Sequence, residues 1–101
     1  MEKVFVYGTL QDEKLRQQLT GRPIGISAFA ELKEYGMSTV FDDGNSYPII
    51  YKTANMADNI RGQLIEVSEK ELAILDEYEG SLYRRIKVEL NSGEQAWAYV
   101  E

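Results

Sequence analysis

Val4-Phe5-Val6-Tyr7-Gly8-Thr9-Leu10, close to the start of a 101-residue chain, decides how the rest is read. Val4 to Tyr7 are β-branched or aromatic, the side chains that suit a packed, pleated surface, so a buried strand is expected here. It stops at Gly8, which accepts backbone angles that a Cβ would oppose. Thr9 is the expected N-cap of a short helix through Asp12, Leu15 and Leu19, the two leucines sharing a face. Strand, glycine and helix start leave several backbone N–H groups pointing one way. Such a turn can hold a carboxylate, a phosphate or a developing oxyanion. The same pattern also fits a tight turn that binds nothing, and the stretch alone leaves both readings open.

Length suits a single domain spanning residues 1–101. The chain carries 17 acidic and 11 basic side chains, a net charge of −6. That balance argues against a nucleic-acid partner, whose phosphates need Lys and Arg. No apolar run approaches the roughly 20 residues that span a bilayer, so no membrane role is expected. A strand begins almost at Met1, leaving no signal-peptide shape, and a cytoplasmic location is the expectation. Cysteine and histidine are both absent. Ser-His-Asp and Cys-His catalysis within one chain is therefore excluded, as are zinc sites built on those ligands. Acid–base work falls to Asp, Glu, Lys or Tyr.

Downstream, Ile24 to Phe41 reads as extended, with a bend or bulge at Gly36. Asp42-Asp43-Gly44-Asn45 is a turn; it lacks the alternating oxygen ligands and distal glutamate of a calcium loop. Tyr47 to Tyr51 forms a strand that Pro48 places at an edge or a strand start. Thr53 to Asn59 reads as a loop, with Met56 a candidate for packing. Ile60 to Val67 alternates as a strand, and Gly62 within it invites close approach by another backbone or a ligand. Ser68-Glu69-Lys70-Glu71 is a capping box opening a helix that Gly80 closes. Two more strands, Leu82 to Leu90 and Gln95 to Val100, flank a hairpin turn at Asn91-Ser92-Gly93. Six or more strands with two short helices predict an α+β fold with a strongly curved, barrel-like sheet.

On a helical wheel of about 100° per residue started at Leu72, Leu75, Tyr78 and Ile74 mark the apolar arc. Glu79 falls at about 340°, between Leu72 and Leu75, and Asp76 at about 40°, on the rim. Glu79 is thus expected to face the core at the negative end of the helix dipole. Burial and the dipole both raise its pKa, which makes a glutamate a proton shuttle near neutral pH. Two other outcomes remain open: Glu79 frays outwards, or it pairs with Arg84 or Arg85. Tyr7, Tyr47, Tyr83 and Tyr99 are candidate sources of hydroxyl groups.

Two segments together resemble a known family. Tyr7-Gly8-Thr9-Leu10 after an apolar strand, and Leu75-Asp76-Glu77-Tyr78-Glu79-Gly80 followed by Tyr83-Arg84-Arg85, resemble the γ-glutamylcyclotransferase-like superfamily. That superfamily includes γ-glutamylamine cyclotransferases and avirulence-induced plant proteins. Tyr47-Pro48, Gly62-Gln63-Leu64 and Ala96-Trp97-Ala98-Tyr99-Val100 match in order, so the likeness covers nearly the whole chain. It implies a small mixed β-barrel with flanking short helices and a pocket between the turn and Glu79. Tyr7, Gly8, Thr9 and Leu10 would hold a γ-glutamyl moiety through backbone N–H groups, Glu79 would be the catalytic acid–base, and Tyr83 and Tyr99 would line the pocket.

The implied reaction is intramolecular acyl transfer. The substrate's own α-amine attacks its γ-carbonyl, giving 5-oxoproline and a free amine, with no enzyme nucleophile, metal or cofactor required. The implied partner is a small γ-glutamyl compound. Two further readings stand beside this one. One is a non-catalytic binding module that keeps the pocket for a small carboxylate or amide. The other is an interaction protein that pairs a partner along the strand edge near Pro48. Neither the leaving amine nor the oligomeric state can be read from the chain.

Overall fold

Strand β1 (Glu2–Val6) lies at the centre of a five-stranded sheet in a computed structural model that describes residues Met1–Glu101. Around it the chain forms α1 (Glu13–Thr20), β2 (Ala28–Lys33), β3 (Tyr35–Asp42), β4 (Asn45–Lys52) and β5 (Asn59–Val67). These are followed by α2 (Glu69–Glu79), β6 (Arg84–Glu89) and β7 (Gln95–Val100). The large sheet has the order β2-β5-β1-β7-β6, and β3 and β4 form a separate two-stranded ribbon. All pairings are antiparallel except β1 with β7, which run parallel with Val4 opposite Trp97.

The unbroken apolar run of β1 follows from its position. Val4 and Val6 point into a core layer with Leu72 and Leu75 of α2, while Phe5 and Tyr7 point into the opposite layer with Ile50 of β4. A strand covered on both faces has no reason to alternate. β7 divides its residues the same way, with Ala96 and Ala98 in one layer and Tyr99 in the other. No helix is long and apolar enough to cross a membrane.

The fold is α+β, as expected, but the barrel does not close. Closure needs a continuous ladder between edge strands. Here the edges β2 and β6 meet only through Asn91, just past β6. Its amide donates to the Glu31 carbonyl at 2.9 Å, and its side-chain oxygen accepts from the Lys33 amide at 3.0 Å. β3 and β4 leave the sheet because the chain turns at Glu34, whose φ is +66°. The expected bend at Gly36 therefore lies two residues earlier. Gly36 is inside β3, with the Tyr51 ring packed where its side chain would be. The extended segment from Ile24 enters a strand only at Ala28. Met56 is exposed rather than packed.

The first helix also departs from expectation. Residues Thr9–Gln11 form a 3-10 turn, and Asp12, not Thr9, caps α1 by accepting from the Lys14 amide at 3.0 Å. Thr9 lies inside that turn, and its hydroxyl meets that of Tyr78 at 2.9 Å. Gly8 has φ −117°, so it does not use the left-handed freedom of glycine. A Cβ at Gly8 would crowd Pro48, whose Cγ stands 3.1 Å from where it would sit.

The second helix has the bounds its capping box and Gly80 predict. Ser68 accepts from the Glu71 amide, and the Glu71 carboxylate accepts from the Ser68 amide. Glu71 also takes Arg22 Nη2 at 2.9 Å. Arg22 and the Ser68 amide together hold its pKa down at about 2, against burial, which raises it. A depressed carboxylate contributes stability that is present above its unfolded value and lost as pH falls through the folded one. Glu71→Gln should therefore lower the unfolding midpoint at pH 7, with the difference from wild type vanishing near pH 2. Thermal melts of both proteins across pH 2–7 read this directly.

Candidate functional site

Where β1 ends, three segments converge on the Tyr7–Leu10 turn: the last turn of α2, the Tyr47-Pro48 part of β4, and Leu82-Tyr83. Between them lies a cavity of about 170 Å³ lined by Tyr7, Gly8, Thr9, Leu10, Glu79, Tyr83 and Tyr99. The structure thus brings every candidate residue named from the sequence to one place. The cavity is smaller than the roughly 300 Å³ at which drug-sized ligand pockets begin, so it suits a compact group.

Within the turn, Gln11 and Asp12 amides donate back to the Gly8 and Thr9 carbonyls, each at 3.1 Å. The amides of Gly8, Thr9 and Leu10 have no main-chain acceptor among the turn and loop hydrogen bonds. They are the donors available to an occupant of the cavity.

Glu79, the last residue of α2, is half-buried and makes none of the protein's salt bridges. The pairing with Arg84 or Arg85 is therefore not made. Arg85 instead lies 3.4 Å from Asp76 Oδ1, and Arg84 Nε donates to the Glu101 carbonyl. With no cation to stabilise its charged form, burial alone pushes the Glu79 carboxyl up to about 7. It can accept and return a proton near neutrality.

The three tyrosines donate their protons to the protein. Tyr7 gives its hydroxyl proton to the Tyr99 carbonyl at 2.5 Å, Tyr83 to the Pro48 carbonyl at 2.8 Å, and Tyr99 to Asp76 Oδ1 at 2.7 Å. Burial, then the nearby Glu79 carboxyl among other groups, pushes Tyr83 up to about 12. Burial is also the main cause raising Tyr7, and burial followed by the Asp76 bond raises Tyr99. These groups stay neutral at any pH of interest. Their oxygens keep lone pairs that can accept from an ammonium group.

Six further lining residues were not singled out as site residues from the sequence: Phe5, Val6, Asp42, Pro48, Tyr78 and Leu82. Tyr78 belongs to the apolar arc on the wheel, and only its bond to Thr9 reveals another role. Asp42 arrives because the β3–β4 hairpin folds over the cavity, a long-range event without a local signal. No three acidic side chains converge as a metal-ligand set.

Comparison with known families gives a match over residues 4–101 to the family described as "Gamma-glutamyl cyclotransferase, AIG2-like". The chain belongs to that family. Compared by sequence with curated proteins, it matches none. Among solved structures, an Arabidopsis thaliana protein known in solution superposes with a TM-score of 0.81 at 28% identity. That alignment covers 98% of this chain and 61% of the plant protein. A structure described as a gamma-glutamyl cyclotransferase gives 0.83 at 16% identity, covering 98% of this chain and 65% of that one. An AIG2-like protein from Mus musculus gives 0.77 at 20% identity, covering all of this chain and 77% of the mouse protein. The last two likenesses bear on the family fold alone. The chain spans less than two thirds of the length of the first two.

Proposed function

We propose that the protein converts γ-glutamyl compounds into 5-oxoproline and a free amine. The observation that carries this is Glu79, a carboxyl with a pKa of about 7 in the same cavity as the amides of Gly8, Thr9 and Leu10. Glu79 takes a proton from the substrate's α-ammonium. The freed amine attacks the γ-carbonyl carbon, forming the ring C–N bond. The turn amides stabilise the negative charge that develops on the carbonyl oxygen. Glu79 passes that proton to the leaving nitrogen and takes the second proton from the ring nitrogen; collapse of the oxyanion then breaks the bond to the leaving nitrogen, and the freed amine carries the second proton away from Glu79. The cramped cavity favours the folded conformer in which amine and carbonyl meet, and the hydroxyl oxygens of Tyr7, Tyr83 and Tyr99 stand ready for the ammonium. Thr9 and Leu10 complete the cradle through their backbone.

The lining holds Asp42 and Glu79 but no lysine or arginine. A leaving group with its own carboxylate would meet no compensating charge. Substrates that release a simple amine are expected to be turned over faster than those that release an amino acid. The test is a panel of γ-glutamyl alkylamines and γ-glutamyl amino acids, with 5-oxoproline measured as product. Product from the amine series first supports the proposal, and no product from any member overturns it. Saturable binding of 5-oxoproline without turnover would assign the cavity to a binding module.

A further inference from the structure

Arg16 is 2% exposed, and no carboxylate pairs with it. An unpaired buried guanidinium is costly, and here its hydrogen bonds go to main-chain carbonyls, with the Glu13 and Asp12 carboxylates near enough to favour its charge. Nη1 donates to the Leu10 carbonyl at 2.7 Å and Nε to the Ile24 carbonyl at 2.8 Å. Leu10 closes the turn that lines the cavity.

Every carbonyl of that turn is held from the protein side. Gln11 Nε2 donates to the Tyr7 carbonyl at 2.8 Å and stands 3.4 Å from that of Gly8. The Gln11 and Asp12 amides hold the Gly8 and Thr9 carbonyls. Arg16 holds the fourth. A planar trans peptide points its C=O and N–H in opposite directions. Fixing the carbonyls of residues 7, 8 and 9 therefore aims the amides of residues 8, 9 and 10 the other way. The Leu10–Gln11 peptide links the set. Its carbonyl is on Arg16, and its N–H is on Gly8.

We infer that Arg16, with Gln11, is a positioning residue that fixes the peptide planes of the Tyr7–Leu10 turn, leaving the amides of Gly8, Thr9 and Leu10 free for a ligand's oxygen. For its effect on turnover the inference rests on the proposed γ-glutamyl reaction; for its effect on the turn it does not. Arg16 touches no reacting atom and acts through the backbone.

The test uses the full chain labelled with ¹⁵N, as wild type, Arg16→Met, Arg16→Lys and Gln11→Ala, titrated with 5-oxoproline. In Arg16→Met the largest amide shift changes should fall at Gly8, Thr9 and Leu10. Binding of 5-oxoproline should weaken roughly tenfold or more, the scale of a lost hydrogen bond to a charged group. With a turnover substrate, kcat should fall roughly a hundredfold, as a small misplacement of catalytic donors does, a larger loss than the accompanying rise in KM. Arg16→Lys should recover part of both losses, because an ammonium still reaches one carbonyl. A purely structural role would not give that rescue together with a kcat loss that exceeds the change in KM.

Unchanged turn resonances and unchanged binding in folded Arg16→Met would overturn the inference. Should that variant fail to fold, Arg16→Lys and the exposed Gln11→Ala decide it, since unperturbed turn amides in both also overturn it. A wild-type protein that forms no 5-oxoproline would overturn the γ-glutamyl reading, while the turn resonances would still judge Arg16.

Discussion

Glu79→Gln is expected to lower 5-oxoproline formation by about 10²- to 10⁴-fold, the usual contribution of a positioned acid–base group. The same substitution should make the protein more stable at alkaline pH. Both effects have one origin. The carboxyl is pushed from 4.5 to about 7 by burial, with no partner to offset it. The folded state therefore binds a proton that the unfolded chain releases between those two values. Stability falls with rising pH wherever the native state holds more protons. The contribution of protonated Glu79 is fully present below about 4.5 and is lost as pH rises through about 7. Converted at 1.36 kcal/mol per pKa unit, the loss is on the order of 3 kcal/mol. Glutamine does not titrate. Denaturant midpoints of the two proteins should lie close together at pH 5 and separate towards pH 9, with the glutamine variant the more stable. Activity in the wild type should run the opposite way, rising through about pH 7 as the base ionises. A variant that keeps full activity, or a stability gap that does not change with pH, would remove Glu79 from the proposed reaction.

That conflict between stability and proton transfer is legible in the sequence because its cause is local. The wheel needs only the positions of Leu72 and Leu75 to place Glu79 between them, and the capping box fixes where the helix begins. Asp76, put on the rim by the same wheel, takes the Tyr99 hydroxyl and Arg85. Other features depend on contacts between distant parts of the chain. Thr9 and Asp12 are both good caps. Asp12 takes the cap, while the Thr9 hydroxyl meets Tyr78, some seventy residues away. Barrel closure is decided by Glu34 adopting a positive φ and by Asn91 meeting β2, neither of which a strand pattern records. Arg16 is the sharpest case. The local pattern around Leu15 does not single out Arg16, yet it is buried behind the turn. Only the carbonyls it serves explain its burial.

Gly62→Ala should be among the most disruptive single substitutions in the chain. Gly62 lies within β5, paired with Ala30 of β2 on one side, and β5 pairs with β1 on the other. A Cβ there would overlap the Val6 carbonyl oxygen and stand 2.9 Å from Phe5 Cζ. The oxygen is backbone in the central strand, and the Phe5 ring is wholly buried, so neither can move cheaply. Overpacking a close-fitted interior costs about 1–3 kcal/mol, and a backbone clash at the centre of the sheet belongs at the upper end or beyond. Its consequence also reaches the cavity. Val6 is the last residue of β1, and the Tyr7–Leu10 turn follows directly, so any shift that relieves the overlap moves the turn amides. The expected result is a lowered unfolding midpoint together with weakened 5-oxoproline binding in whatever fraction stays folded. Gly25→Ala is the control, because a Cβ at Gly25 meets nothing within 4 Å. Equal midpoints for the two variants would show that β1 and β5 are not packed as closely as their register requires.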